Sequence, residues 1–176
     1  MEQIKIHDDF LNHDDLERCK QIIKDGKWEY GQQSNPIDKH SFSNPFFYMD
    51  LNNMDFFNSY LKEKIEQTLG QKIALDRVYA NGQTFGLDGS FHKDNEDPTA
   101  ITFCLYISPI PNGFIEEAGG NIFFKVPGID HFSLALEPRY NRGVSFPSYY
   151  IHKGMTFNRY IKNMRISIAW KLRIKN

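Results

Sequence analysis

Six histidines stand among the 176 residues of this chain, and three of them open a His-x-Asp triplet: His7 with Asp9, His13 with Asp15, and His92 with Asp94. Imidazole nitrogens and carboxylate oxygens are both metal ligands, so each triplet offers part of a site. With 22 acidic residues in the chain, such triplets also arise by chance, and context has to separate them. Asp9, Asp14 and Asp15 fall just before or within the first turn of a predicted helix, where the macrodipole and unpaired backbone N–H groups favour carboxylates. His92 and Asp94 instead follow a Gly-punctuated run from Asn81 to Ser90 and precede a predicted strand that carries Thr102 and Tyr106. A third ligand candidate, His152, lies in the run from Ser148 to Gly154, after a β-rich segment. Two histidines and one carboxylate on neighbouring strands can occupy one triangular face of an octahedral metal and leave three positions open, an arrangement that suits non-haem Fe(II).

A second chemistry is written in the run Arg165-Ile166-Ser167-Ile168-Ala169-Trp170. Alternation along a strand puts Arg165 and Ser167 on one face and Ile166 and Ile168 on the other. An arginine inside a strand beside a hydroxyl calls for a carboxylate, and a bidentate guanidinium plus a serine suits the distal carboxylate of a dicarboxylic cosubstrate. The same parity sends Thr102, Cys104 and Tyr106 to one face of their strand and Ile101, Phe103, Leu105 and Ile107 to the other. The mixed face is predicted to line a pocket, and Tyr79 adds a further hydroxyl.

These side chains need a scaffold of strands. From Lys72 onward the hydrophobic period is 2, with predicted strands at Ile73 to Ala80, Ile101 to Ser108, Asn121 to Val126, Phe132 to Glu137, Gly143 to Phe146 and Arg165 to Ile174. Many short strands separated by Gly, Pro and Asn point to a jelly-roll sandwich or barrel. Before Lys72 the chain reads as helices with short strands, opening on an apolar alternation at Ile4 and Ile6. Asn12 or Asp14 can cap a helix with Leu16, Cys19, Ile22 and Ile23 on one face and Gly26 as the stop. A second helix is predicted from Asp55 to Leu69, its stripe running through Phe56, Phe57, Tyr60, Leu61, Ile65 and Leu69, with Gly70 just past its end. The chain reads as one domain, 1–176, with 1–71 as support and 72–176 as β core.

Composition narrows the function classes. Apolar residues make up 40% of the chain and aromatics 15%, enough for a sizeable core. Twenty-one basic against 22 acidic residues leave a net charge of −1, so no global basic field recruits nucleic acid or anionic lipid. The first residues lack a signal-peptide core and no stretch approaches a membrane span; the expectation is a soluble cytoplasmic protein. Cys19 and Cys104, the two cysteines, read as buried free thiols and cannot build a thiolate zinc cage.

Taken together and in order, Tyr79, His92-x-Asp94, Thr102, Tyr106, Gly119-Gly120, His152 and Arg165-x-Ser167 resemble the 2-oxoglutarate- and Fe(II)-dependent dioxygenases, in particular their prolyl-4-hydroxylase-like branch. The likeness spans roughly Lys72 to Lys171. It implies a double-stranded β-helix (a cupin-like jelly roll) that is mainly β, with the N-terminal helices packed on one sheet. It further implies Fe(II) held by His92, Asp94 and His152, with 2-oxoglutarate chelating the metal. Arg165 would then hold the far carboxylate with help from Tyr106, Thr102, Tyr79 or Ser167. The implied reaction uses dioxygen to convert 2-oxoglutarate to succinate while hydroxylating a prolyl residue, or another peptidyl or small-molecule substrate; ascorbate is a possible auxiliary reductant. Many relatives carry the basic residue nearer the second histidine, which makes Lys162 a competitor. Lys162 falls in a polar loop, however, and Arg165 in the strand. Two other readings stay open: a metal-free β-sandwich binding module in which the histidines are incidental, and a zinc hydrolase using Glu96 or Asp97. Trp28 to Tyr30, Asn35 to Phe47 and Pro109 to Glu117 are expected to shape an entrance.

Overall fold

The computed structural model describes residues 3–34, 44–111 and 113–175. Helix α1 (His13–Asp25) begins where Asn12, rather than Asp14, caps it: the Asn12 side chain accepts from the Asp15 N–H at 2.8 Å. Leu16, Cys19 and Ile23 form its buried stripe. Gly26 ends it for a packing reason, since its backbone is ordinary and extended but a Cβ there would lie 2.5 Å from the Met49 Sδ and Cε atoms. The second predicted helix is present in two parts, a π-helical turn at Phe56–Tyr60 followed by α2 (Leu61–Leu69). The wider turn shifts the phase so that Phe56, Phe57, Leu61 and Ile65 are all buried. Gly70 then closes α2 in the left-handed region at φ 66°, its N–H donating to the Glu66 carbonyl.

The described residues form ten strands: β1 (Lys5–His7), β2 (Glu29–Gln32), β3 (Phe46–Asp50), β4 (Ile73–Gln83), β5 (Ala100–Tyr106), β6 (Ile122–Lys125), β7 (Ser133–Leu136), β8 (Arg142–Pro147), β9 (His152–Gly154) and β10 (Arg165–Ile174). Seven make one antiparallel sheet in the order β1-β8-β5-β10-β4-β3-β2, and three make a smaller sheet, β7-β6-β9. On one side of the large sheet, Val78, Ala80, Phe103, Leu105, Ile168, Trp170 and Leu172 pack with the buried residues of α1 and α2. The Trp170 indole N–H is satisfied there by the Phe57 carbonyl at 2.9 Å. On the other side, Tyr79, Cys104, Tyr106, Val144, Phe146 and Ala169 meet Ile122 and Phe124 of the smaller sheet. This is the mainly β double-stranded β-helix with helices on one sheet that the resemblance implies.

Most expected strands shift by one or two residues at an end, and the larger differences lie elsewhere. Strand β4 continues through Asn81 and Gly82 to Gln83, and the end of the Met164 side chain packs against Gly82, its sulfur 2.6 Å from where a Cβ would stand. Strands β2 and β3 pair at the sheet edge; β2 is exposed along its whole length and so shows no alternation. Strand β9 has three residues, too few for a period. Both cysteines are buried and free, and no helix among the described residues is long and apolar enough to cross a membrane.

Candidate metal centre

His92 and His152 are brought together by backbone, not by their own side chains. An isolated antiparallel bridge joins them, each N–H donating to the other's carbonyl at 3.0 and 2.9 Å. The Asp94 N–H is fixed the same way on the Ser148 carbonyl at 2.9 Å. Each imidazole turns its Nδ1 to a carbonyl, His92 to Ser90 at 2.9 Å and His152 to Tyr150 at 2.8 Å. A carbonyl only accepts, so both Nδ1 atoms carry the proton and both Nε2 lone pairs face inward. Each Nε2 lies 3.4 Å from an Asp94 carboxylate oxygen, and the three ligand atoms all fall within 4.8 Å of one another.

Charge states favour a cation at that point. Burial, partly opposed by Asp94, pushes His152 down to about 4, so its ring is neutral near pH 7. Burial works to raise Asp94, but Lys171 and the two histidines overcome it and hold the carboxyl well below the usual range. Two imidazole lone pairs and a carboxylate that converge in this way repel one another unless a cation sits among them. The donor set therefore fits a divalent metal in the two-His, one-carboxylate class. His152 is braced from behind by the rings of Phe146 and Phe124, centroids 4.8 and 6.0 Å away.

Behind the carboxylate lies a feature that the sequence reading missed. Oδ2 of Asp94 accepts from the Thr102 hydroxyl at 2.6 Å and from the Lys171 ammonium, while Thr102 also contacts the Ser148 hydroxyl at 3.0 Å. Thr102, expected among the cosubstrate contacts, is thus occupied with Asp94 and lies off the cavity wall. Register explains this: Thr102 faces Lys171, at the Asp94 end of β10, whereas Tyr106 faces Ser167 near Arg165. Lys171 was findable, since it continues the face Arg165, Ser167, Ala169 by one more step of two.

A cavity of about 130 Å³ opens in front of the triad. Its walls include Arg165, Ser167, Ala169 and Lys171 of β10, Tyr79, Asn81 and Gln83 of β4, and Cys104 and Tyr106 of β5. Arg165 is 3% exposed. Its Nε donates to the Gly120 carbonyl at 2.6 Å and its Nη1 to Gln83 Oε1 at 2.9 Å and to Ser167 Oγ at 3.4 Å, with the Tyr106 ring 5.1 Å away. Gly120 can offer that carbonyl because its φ of 75° and its closeness to the Phe157 ring, 2.6 Å from an added Cβ, admit glycine alone. No carboxylate lies within ion-pair distance of Arg165 among the described residues; Asp88, which acts on it from farther off, is held by the Thr156 N–H and hydroxyl. Lys162 is exposed and off the cavity. Gln83 escaped the sequence reading because β4 was expected to stop at Ala80.

The other expected features sort by place. Tyr79 is on the wall, its ring 5.4 Å from that of Tyr48, and burial raises its pKa. Burial pushes the Cys104 thiol up to about 11. His7 contacts the Ser145 hydroxyl and His13 opens α1; neither, nor His131, joins a ligand cluster among the described residues. His40 lies outside the described residues, as does 35–43 of the expected entrance. Of the expected entrance, Phe46 lines the cavity, joined by Gln32, Gln33 and Ser34 from between the expected segments, whereas Trp28 packs with the helices, donating to the Ile23 carbonyl at 3.2 Å. None of the described residues in Pro109 to Glu117 reaches the wall.

No family model matches the chain, and no curated protein matches it. Solved structures do. A prolyl hydroxylase from Trichoplax adhaerens, in complex with a hypoxia inducible factor oxygen degradation domain peptide fragment, aligns with 97% of this chain over 83% of its own, with a TM-score of 0.72 at 14% identity. An oxidoreductase of the 2OG-Fe(II) oxygenase family from Burkholderia pseudomallei covers 97% and 85%, with a TM-score of 0.71 at 11% identity. HygX from Streptomyces hygroscopicus, solved with nickel and 2-oxoglutarate bound, covers 97% and 82%, with a TM-score of 0.67 at 9% identity. At such identities the likeness is one of fold, and the fold is that of the 2-oxoglutarate oxygenases, prolyl hydroxylases included.

Proposed function

We propose that this protein is an Fe(II)- and 2-oxoglutarate-dependent dioxygenase that hydroxylates a peptidyl or small-molecule substrate. One observation carries the reading: Arg165 is a buried cation with no carboxylate partner among the described residues, on the wall of the same cavity as a His-Asp-His triad. An unpaired buried charge is costly, and a metal-only hydrolase or a binding module has no use for it. A dicarboxylic acid that reaches from the metal to the arginine does. Fe(II) at His92, Asp94 and His152, when bound, would supply the redox chemistry by which dioxygen gives one oxygen atom to 2-oxoglutarate, which leaves as succinate and CO2, and the other to the substrate.

The chain's own residues do the rest. Arg165, with Ser167 and Tyr106, takes the far carboxylate of the cosubstrate and so orients its keto acid end toward the triad. Thr102 and Lys171 hold Oδ2 of Asp94 and fix the plane of the ligand. Ile122, Cys104 and Ala169 supply apolar surface on the wall that limits water. A solved prolyl hydroxylase with a peptide bound supports a peptidyl substrate. The test is calorimetric titration of 2-oxoglutarate into anaerobic protein with and without Fe(II), then mass spectrometry for the gain of one oxygen on candidate peptides and metabolites. Metal-dependent binding and succinate release are expected; 2-oxoglutarate binding that ignores the metal would refute the reading.

A further inference from the structure

Four cations line the cavity: Arg165, Lys171, Lys93 and Arg77. Asp94 is the one carboxylate on its wall among the described residues. Three of the four cations have an assigned anion. Lys171 is bound to Asp94, Lys93 to Glu96 at 3.0 Å, and Arg165 faces the place proposed for the cosubstrate. Arg77 has none. No ion pair or hydrogen bond engages its guanidinium among the described residues, which stacks 5.3 Å from the Tyr79 ring centroid and is exposed at the cavity edge.

The backbone is bent to put it there. Ile73 and Leu75 of β4 belong to the helix side of the sheet, and an unbroken strand would send Arg77 the same way. A register shift between Lys171 and Leu172 inserts Asp76 as an extra residue: Leu75 faces Leu172, but Arg77 faces Lys171. The phase reverses, Val78 and Ala80 become the core residues, and Arg77 and Tyr79 turn to the cavity. The result sets two cations directly opposite each other on neighbouring strands, both near the Tyr79 ring, an arrangement that is unfavourable by itself. A lone planar fork beside an aromatic face suits a monoanionic carboxylate, which it can bind bidentately; a phosphate dianion would want a second free cation, and no other is left on the wall among the described residues.

We infer that the substrate of the proposed oxygenase carries a carboxylate and that Arg77 reads it at the cavity mouth, as a subsite separate from Arg165. This rests on the oxygenase reading. The carboxylate can come from an acidic side chain within a peptide or from the main-chain end of a free amino acid, and two probe pairs tell them apart. One pair is N-acetylglutamate amide against N-acetylglutamine amide; the other is N-acetylleucine against N-acetylleucine amide. Each is titrated by calorimetry into Zn(II)-loaded protein saturated with 2-oxoglutarate, with the Arg77 Nε–H resonance followed by NMR. The acid of at least one pair should bind about tenfold or more tighter than its amide and shift that resonance. Arg77→Gln should abolish the difference while 2-oxoglutarate affinity stays within about twofold, and Arg77→Glu should make the amide the better ligand. Equal affinities for acid and amide, or a preference that survives Arg77→Gln, overturn the carboxylate subsite while leaving 2-oxoglutarate binding intact. Failure of 2-oxoglutarate to bind the metal-loaded protein overturns the oxygenase reading instead, and this inference with it.

Discussion

On one face of β10, Ile168, Trp170 and Leu172 are 0–1% exposed against the helices; on the other, Arg165, Ser167 and Lys171 are 3–9% exposed in the cavity wall. The two faces are nearly equal in burial and opposite in chemistry. The apolar face is stabilised mainly by loss of water and by packing, with the Trp170 indole bond to the Phe57 carbonyl as its named polar contact. The polar face is held only by named partners: Asp94 for Lys171, and Gly120 and Gln83 for Arg165. Where such a face lacks one partner, a ligand is what completes it. Burial by itself therefore does not distinguish scaffold from site, whereas an unmatched charge does.

Substitutions on the two faces should separate cleanly, beginning with the largest effect. Asp94→Ala should abolish metal binding and also leave Lys171 buried without its counter-charge, at about 3–5 kcal/mol of stability. His92→Ala should lose the metal with a much smaller loss of stability; metal analysis and urea unfolding of both variants check the pair, and equal destabilisation would detach Lys171 from Asp94. Arg165→Ala should weaken 2-oxoglutarate by about two to three and a half orders of magnitude, for a loss of roughly 3–5 kcal/mol, with metal affinity unchanged. Arg165→Lys keeps the charge without the fork and should fall between, and Lys162→Ala should bind like the wild type. A large loss in the Lys162 variant alone would move the anchor into the loop.

Across the sheet, Ile168→Ala should cost about 2–5 kcal/mol in urea unfolding and leave both ligand affinities of the folded protein as they were. A drop in 2-oxoglutarate affinity there would show that the faces are coupled through the backbone. Thr102→Val, which removes the hydrogen bonds to Asp94 and to the Ser148 hydroxyl and nothing from the cavity wall, should lower metal affinity by about ten- to a hundredfold and cost about 1–3 kcal/mol of stability through the polar atoms left buried. Cys104 gives the smallest and most local signal: thiol labelling should slow when 2-oxoglutarate fills the cavity in front of it, and equal rates would take Cys104 off the path to the site.

The legible part of the site is the part that obeys parity within one strand. The step of two from Arg165 to Ser167, and from Thr102 to Cys104 to Tyr106, fixes which side chains share a face before any neighbour is known, and those faces are found as expected. Parity fails where the strand is irregular. The bulge at Asp76 reverses the phase of β4, so neither Arg77 nor Gln83 could be assigned a face from Ile73 onward. It also says nothing about level along a strand, which is why Thr102 shares a face with Tyr106 yet serves Asp94 instead of the cavity.

What the residue order determined by itself is local: a cap at Asn12 or Asp14, Gly70 as a stop, the buried stripes of the helices apart from the exposed Tyr60, and His92, Asp94, His152 and Arg165 as candidates of the right chemistry. These follow from backbone geometry over a few residues, which needs no distant partner. Only the tertiary structure decided that the His92 backbone bridges that of His152, that Lys171 closes on Asp94, and that Arg165 is enclosed with no carboxylate beside it among the described residues. Those outcomes depend on which strands become neighbours and in what register. Long-range pairing sets both, because the chain satisfies its backbone hydrogen bonds and buries its apolar faces as a whole.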